Sequence, residues 1–330
     1  MPRGSIPLPI LAALGGVACL SLMDAFMKSA SLAIGAFSAA WLRAVIGSAI
    51  MLPIFAAAEA RRPPRAVLKL HIERGVISSF MALTFFYSLT KLPLAETIAI
   101  SFVAPLVALY LARVLLGEAV SRKAIWGSLL GFAGTVIIVS ARLGSAGFDR
   151  DTLLGLASIL VSAMLYAYNF IVMRRQSQLA GPAEVALFHS LVSAVLLPVT
   201  AIVVAAAAAI YAAPALFPAP TPAALGAMVS AAARFLATNL ITVPGTATLG
   251  ATAISAALTV VGAMALAWAY ARAEAQVLVP MEYSGFLWAS LFGWLFFAET
   301  VTATTLLGTM LIVLGCWLAA GRAEPEQVVV

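Results

Sequence analysis

The chain has 330 residues, 63% of them hydrophobic and only 10% charged, with a mean hydropathy of +1.07. Soluble globular domains are about half apolar and about one quarter charged, so this composition excludes an ordinary soluble enzyme and points to the bilayer. The formal charge of +6 does not indicate a nucleic-acid partner, because the basic residues lie in short loops between apolar runs, where they set topology.

Apolar runs of about 20 residues can cross the hydrocarbon core as helices. Ten are read in chain order, at about 7–28, 36–57, 73–91, 94–115, 124–142, 152–173, 184–207, 248–270, 276–297 and 303–320. The first, preceded by Arg3 and followed by Ser31-Leu32-Ala33, has the outline of a cleavable signal peptide. It is retained as a span because the apolar stretch 154–173 matches it in the second half. Arg3, Arg61, Arg62, Arg65, Lys69, Arg74, Arg122, Lys123, Arg174, Arg175, Arg272 and Arg322 fall on one side of these spans. Only Lys91, Arg142, Arg150 and Arg234 fall on the other. The positive-inside bias then predicts both termini in the cytoplasm.

Residues 87–136 align with 268–317 without a gap, at an offset of 181. Glu118 falls on Glu299, Gly127 on Gly308, Gly134 on Gly315, Lys91 on Arg272, Tyr87 on Trp268 and Phe102 on Tyr283. Each copy is an apolar helix, a polar break built on Glu (LLGEAVSRK, FFAETVTAT), and a Gly-punctuated apolar helix. Five spans per half is an odd number, so the halves enter the membrane in opposite senses. The expected fold is all-α and polytopic, ten transmembrane helices in two inverted five-helix repeats, with a substrate site between the repeats. The first repeat is read as 1–145, the second as 150–322, and 323–330 as a cytoplasmic tail. An insertion at about 208–247 holds Pro214, Pro218, Pro220 and Pro222 and an apolar stretch, 223–243, broken by Arg234 and Asn239. That stretch is predicted to lie in the external interface or to re-enter without crossing.

No catalytic, metal or cofactor site is legible. There is no Gly-rich loop ending in Lys-Ser/Thr and no Cys pair at metal spacing. Cys19 and Cys316 lie within apolar segments, and His71 is placed in the cytoplasmic loop 59–74, far from His189. That loop offers Glu59, His71 and Glu73 but no clear acid–base pair for a membrane-embedded transferase.

Charges inside the hydrocarbon cost at least ~2.5–3.5 kcal/mol each on insertion scales, so each needs a partner, water or a role. Asp24 and Lys28 share a helical face in the outer half of the first span, within reach of Arg43 on the second. They read as an ion pair with a snorkelling Lys28, or as an external gate where Arg43 meets a substrate carboxylate or phosphate. Glu282, after Pro280, is read as a contact for a substrate ammonium or a protonatable coupling site, against a carboxylate capping its own helix. His189, Asn169 and Tyr168 are placed at an inner depth. An imidazole changes charge near neutral pH and suits proton coupling, although hydrogen-bonded core is its plainer reading. Tyr87, Tyr166, Trp268, Tyr283, Trp41 and Trp288 are candidates to stack on a planar or cationic substrate, or to lie at the membrane interface. Glu96, Glu118 and Glu299 read as structural carboxylates that bond free amides at helix starts. Gly127, Gly131, Gly134, Gly308 and Gly315 let helices approach closely, within the chain or across a homodimer.

The paired helix–Glu–helix units, with "GE" or "AE" at the break and Gly-x-x-(Leu/Met)-Leu-x-x-x-Gly after it, resemble the EamA repeat of the drug/metabolite transporter superfamily. Asp24-Ala25-Phe26 and Tyr166-Ala167-Tyr168 extend the likeness to the first and sixth spans. The resemblance implies a central cavity lined by spans 1–4 and 6–9, with spans 5 and 10 peripheral. It implies a multi-pass transporter of a small metabolite, secondary-active or facilitative, in a bacterial inner membrane. A flippase for a lipid-linked intermediate and a membrane scaffold are the alternatives.

Overall fold

The computed structural model describes residues 8–58, 63–104, 107–108, 110–111, 114, 122–146, 149–176, 179–211, 223–239, 244–270, 272, 281 and 283–320. Every regular element among them is an α-helix. In order they are α1 (Leu8–Ile34), α2 (Ala36–Ala58), α3 (Arg65–Leu89), α4 (Leu94–Ser101), α5 (Arg122–Ala146) and α6 (Arg150–Gln176), then α7 (Pro182–Tyr211), α8 (Ala223–Asn239), α9 (Thr246–Tyr270), α10 (Ser284–Phe297) and α11 (Ala303–Ala320). The sequence leads to an expectation of ten crossings. Six helices, α1, α2, α5, α6, α7 and α9, contain stretches long and apolar enough to cross a membrane, and α10 and α11 are shorter apolar helices.

One boundary differs from expectation in a way that matters. The third span is predicted from about 73, but α3 begins at Arg65, so Arg65, Lys69, His71, Glu73 and Arg74 are helical and not in a loop. Pro64 precedes the helix with φ −57 and ψ 152, and its carbonyl accepts the Leu68 amide at 2.9 Å. Proline fixes that entry conformation and needs no amide partner there.

The chain divides into two compact units, each drawing on both halves of the sequence. The first comprises the described residues within 1–25, 91–171 and 258–330, and the second those within 26–90 and 172–257.

In the first unit α5 lies along α11, and α4 packs against α10, α11 and α5. The α5–α11 seam is built on glycine. A Cβ on Gly134 would fall on the Gly308 carbonyl oxygen, and one on Gly315 would fall on that of Gly127. Outward from this seam the side chains turn large and apolar: Trp126, Leu129, Phe132 and Val136 on α5, and Leu306, Met310, Leu314 and Trp317 on α11, are exposed. Small residues inside and large apolar ones outside suit lipid as solvent. Gly16 on α1 meets Gly262 on α9 in the same close fashion, 3.0 Å from a would-be Cβ to the carbonyl oxygen.

Polar groups fasten the first unit at a few points. Lys91 Nζ pairs with Asp151 at 2.8 Å, and Glu96, buried in the first turn of α4, faces Arg142 Nε at 3.7 Å. Ser21 Oγ donates to the Gly285 carbonyl at 3.4 Å. Phe102 meets Tyr283 edge-on, centroids 5.3 Å apart. The chain leaves α10 through Ala298, the one non-glycine residue with positive φ (52°) among those described. That turn delivers Glu299, whose Oε2 accepts the amide of Leu94 at 2.7 Å.

In the second unit α2 and α3 both pack on α7 and on each other, and α8 lies against α7 and α2. Gly35 (φ 81°) closes the tight turn from α1 into α2, a conformation that glycine adopts without a Cβ penalty. Trp41 Nε1 donates to the Ala194 carbonyl at 3.1 Å, and a Cβ on Gly47 would touch Ser190 Oγ at 3.0 Å. Gly75 abuts Val192, and Ser79 Oγ donates to Ser193 Oγ at 2.7 Å. These contacts place α2 and α3 around residues 189–194 of α7. Phe235 of α8 meets Tyr87 of α3 edge-on at 5.2 Å.

Candidate functional site

The strongest concentration of polar groups lies in the second unit, where α3, the end of α6 and the start of α7 converge. His71 is fully buried and stacked on Phe188, with centroids 4.4 Å apart and planes 13° from parallel. Its Nε2 is 2.7 Å from Glu184 Oε1 in the first turn of α7, and its Nδ1 is 2.5 Å from Gln176 Nε2 at the end of α6. The directions of these bonds follow from what each group can do. Arg74 Nη1 is 2.8 Å from Gln176 Oε1 and can only donate, so the Gln176 oxygen faces Arg74 and its amide nitrogen faces His71. That nitrogen donates to Nδ1, which leaves the ring proton on Nε2, donated to the Glu184 carboxylate. Arg74, Gln176, His71 and Glu184 thus form one directed chain of hydrogen bonds across three helices.

Next to this chain on α7 stands His189. Its carbonyl accepts from Ser193 Oγ at 2.9 Å, and its Nδ1 is buried with no hydrogen-bond partner. Arg43 and Arg74 both lie within electrostatic range of its ring, and the Arg43 guanidinium sits over the face of Phe86, 5.2 Å from the centroid. An imidazole nitrogen, two guanidinium groups and an aromatic face can together hold an anion with an apolar body.

The other residues singled out in the sequence are distributed as follows. Asp24 and Lys28 are both buried, one turn apart on α1, and both have interaction partners. Lys28 therefore does not snorkel, since its charge lies within the protein. Asn169 on α6 is buried with its Oδ1 lacking a hydrogen-bond partner, Tyr168 is half-buried and Tyr166 exposed. Trp268 carries the Arg272 guanidinium over its ring at 4.2 Å, and Trp288 stacks on Phe292 at 6.1 Å along α10. Tyr283 is occupied by Phe102, and Tyr87 by Phe235. Glu282 and Glu118 lie outside the described residues. Gly127, Gly134, Gly308 and Gly315 are engaged by one another within the chain.

Two expectations are corrected. His71 is predicted in a loop and is a buried helix residue, because tertiary partners satisfy both ring nitrogens. Glu299 is expected to cap the helix that follows it, but the left-handed turn at Ala298 directs its carboxylate to the first residue of α4. Sequence reasoning missed Arg74, Gln176 and Glu184 as members of a cluster. The one local sign was His71 and Arg74 three residues apart, which adjoin on a helix.

Comparison with known proteins bears on what this arrangement serves. Residues 7–140 match the EamA-like transporter family. Over 304 residues the chain is 22% identical to the Pseudopaline exporter CntI of Pseudomonas aeruginosa, covering 92% of each protein. Over 113 residues it is 30% identical to the Aromatic amino acid exporter YddG of Ancylobacter novellus, covering 34% of this chain and 39% of that one. A protein of known crystal structure shares the fold with a TM-score of 0.59 at 20% identity, over 96% of this chain and 99% of that one. The apolar helices make this a multi-pass membrane protein, and it is similar to the EamA-like transporter family over residues 7–140 and to an exporter over nearly its whole length.

Proposed function

We propose that the protein is a secondary-active or facilitative exporter of a small, amphipathic metabolite in a bacterial inner membrane, working by alternating access between inverted repeats. The observation that carries this reading is the buried polar cluster around His71 and His189, set in helices whose exteriors are apolar. Buried polar groups at membrane depth are costly and mark substrate or ion paths. The export direction is taken from relatives named as exporters.

The inverted-repeat reading draws support from reciprocal contacts. Under the 181-residue offset the pair Gly134–Gly308 becomes Gly315–Gly127, and both pairs touch. Phe102 and Tyr283, equivalent by the same offset, pack on each other. Such reciprocity is what an internal two-fold relation produces. Glu282, Asn169, Asp24, Lys28 and the aromatic residues Tyr166, Tyr168 and Trp268 are retained as substrate or coupling candidates, with proton coupling assigned to Glu282 or to the histidines.

The test is efflux from proteoliposomes loaded with radiolabelled amino acids, nucleosides, vitamins or cationic drugs, with and without a pH gradient. At least one class should leave faster than from protein-free liposomes, and Glu282→Gln should cut that flux strongly while the protein remains folded. A well-folded protein that moves none of them would refute the metabolite-exporter reading.

A further inference from the structure

Gln176 stands between two partners that it can serve together in only one protonation state. Its Oε1 accepts from Arg74 Nη1 at 2.8 Å, and its Nε2 donates to His71 Nδ1 at 2.5 Å. A side-chain amide carries its acceptor on one branch and its donors on the other, so this arrangement needs a bare Nδ1. A protonated imidazole donates at both nitrogens. Turning the amide to offer Oε1 to an Nδ1–H would set its NH2 group against Arg74, which only donates. Gln176 and His71 are each 1% exposed, so bulk water does not stand in for the lost partner.

The other edge of the ring behaves differently. Nε2–H donates to Glu184 Oε1 at 2.7 Å in either state, and a charged imidazolium strengthens that bond. The remaining charged or titratable groups on the surrounding helices are turned away or engaged elsewhere. Lys69 and Glu73 on α3 and Arg175 on α6 are exposed. On α2, Arg43 lies over Phe86, toward the far end of α3. On α7, His189 follows Phe188, whose ring stacks on His71. Among the described residues Glu184 is therefore the carboxylate on the ring, and Arg74 the cation linked to it through Gln176. Arg74 has a further interaction of its own and does not depend on the amide.

We propose that His71 is a proton-operated latch on the last turn of α6. One proton taken from solvent forms an N–H bond at Nδ1, turns the Gln176 amide and breaks the Arg74–Gln176 bond, while the tie from α3 to α7 through Glu184 becomes an ion pair. The end of α6 is then held to α3 by one side-chain bond in place of two. Because Gln176 covers Nδ1, proton uptake and loosening of α6 are one event. The proposal rests on the reading of the histidines as coupling sites and narrows it to one nitrogen and one bond.

The test uses full-length protein in lipid nanodiscs. The chain has two histidines, so ¹⁵N-histidine gives two sets of ring signals, and the set that survives His189→Asn belongs to His71. Spin labels are placed at Ile72→Cys on α3 and Leu179→Cys just beyond α6, both exposed positions, with Cys19 and Cys316 replaced by Ser. At alkaline pH His71 should carry its proton on Nε2 alone. On acidification both nitrogens should become protonated, and the label distance should lengthen and broaden with the same midpoint. Gln176→Glu, whose two oxygens accept from Arg74 and from Nδ1–H together, should let His71 charge while the distance stays fixed. A proton on Nδ1 at alkaline pH, an uncharged His71 throughout, or a distance that ignores its charging overturns the latch. Equal movement in Gln176→Glu overturns it too. Efflux from proteoliposomes separates this from the transporter reading. If a pH gradient drives Gln176→Glu as well as the parent, transport stands and the latch has no part in coupling. A working latch in a protein that moves no probe keeps the latch and removes the exporter.

Discussion

Ala298 holds a left-handed conformation, φ 52°, at the exit of α10. For an L-residue with a Cβ that costs roughly 1–2 kcal/mol, which glycine does not incur. The first copy of the repeat carries Gly117 at the matching place. Ala298→Gly should therefore raise stability by about 0.5–1 kcal/mol, after allowing for the greater freedom of glycine in the unfolded chain. Thermal unfolding in detergent measures it, and an unchanged or lowered midpoint would count against strain at this turn. The residue that the turn delivers has the opposite sign. Glu299 Oε2 accepts the Leu94 amide at 2.7 Å, one of the free donors at the start of α4. Charge-assisted bonds of this kind contribute about 1.5–3 kcal/mol, so Glu299→Ala should destabilise by about that amount. Glu299→Gln, which keeps an acceptor, should lose less, and the efflux rate of whatever folds should stay near that of the parent. A folded but inactive Glu299→Gln protein would move this residue from scaffold to mechanism.

At the level of elements, the glycine seam between α5 and α11 separates two kinds of glycine on one helix. Gly134→Ala places a methyl group against the Gly308 carbonyl and within 3.0 Å of the Ile312 backbone nitrogen. Overpacking at such a contact costs typically ~1–3 kcal/mol. Gly144, also on α5, has nothing within 4 Å of a would-be Cβ, so Gly144→Ala should be neutral or stabilising by up to ~1 kcal/mol through helix propensity. Comparing the two unfolding midpoints checks the seam directly, and equal effects would mean that α5 and α11 are not in backbone contact. How far elements could be read in advance follows from the same physics. Apolar runs of crossing length are the strongest signal in such a chain, and α1, α2, α5, α6, α7, α9 and α11 begin and end within a few residues of expectation, apart from a longer C-terminal end of α1. The start of α3 was hidden because its inward positions, Val67, His71, Gly75 and Ser78, recur at helical spacing but are mostly polar or small. Hydropathy registers such a stretch as a loop. The site was half legible for a related reason. Arg43 and His189 stand out as lone polar groups in apolar runs, whereas Glu184 lies 113 residues from the His71 it engages, and no local pattern links them.

At the scale of the whole molecule, the orientation of the last three helices turns on α8. Its 17 residues span about 26 Å at ~1.5 Å per residue, somewhat short of a hydrocarbon core of ~30 Å. Arg234 on it is exposed, Leu236 is buried, and Phe235 meets Tyr87 of α3. α8 thus packs on α7 and α2 with Leu236 turned inward and Arg234 outward, as a helix lying in the membrane interface would. Parity supplies the consequence. If α8 does not cross, α9 enters from the same side on which α7 ends, Arg272 remains with the basic cytoplasmic loops, and the two repeats keep opposite orientations. If it crosses, Arg272 and the end of α11 change sides and the inverted relation is lost. Fusing a reporter enzyme that folds only outside the cytoplasm at positions 217 and 243, on either side of α8, decides between them. Both fusions should be active, and a fusion at 178, between α6 and α7, should be silent. Activity at 217 with silence at 243 would establish α8 as a crossing helix and remove the inverted-repeat basis for alternating access.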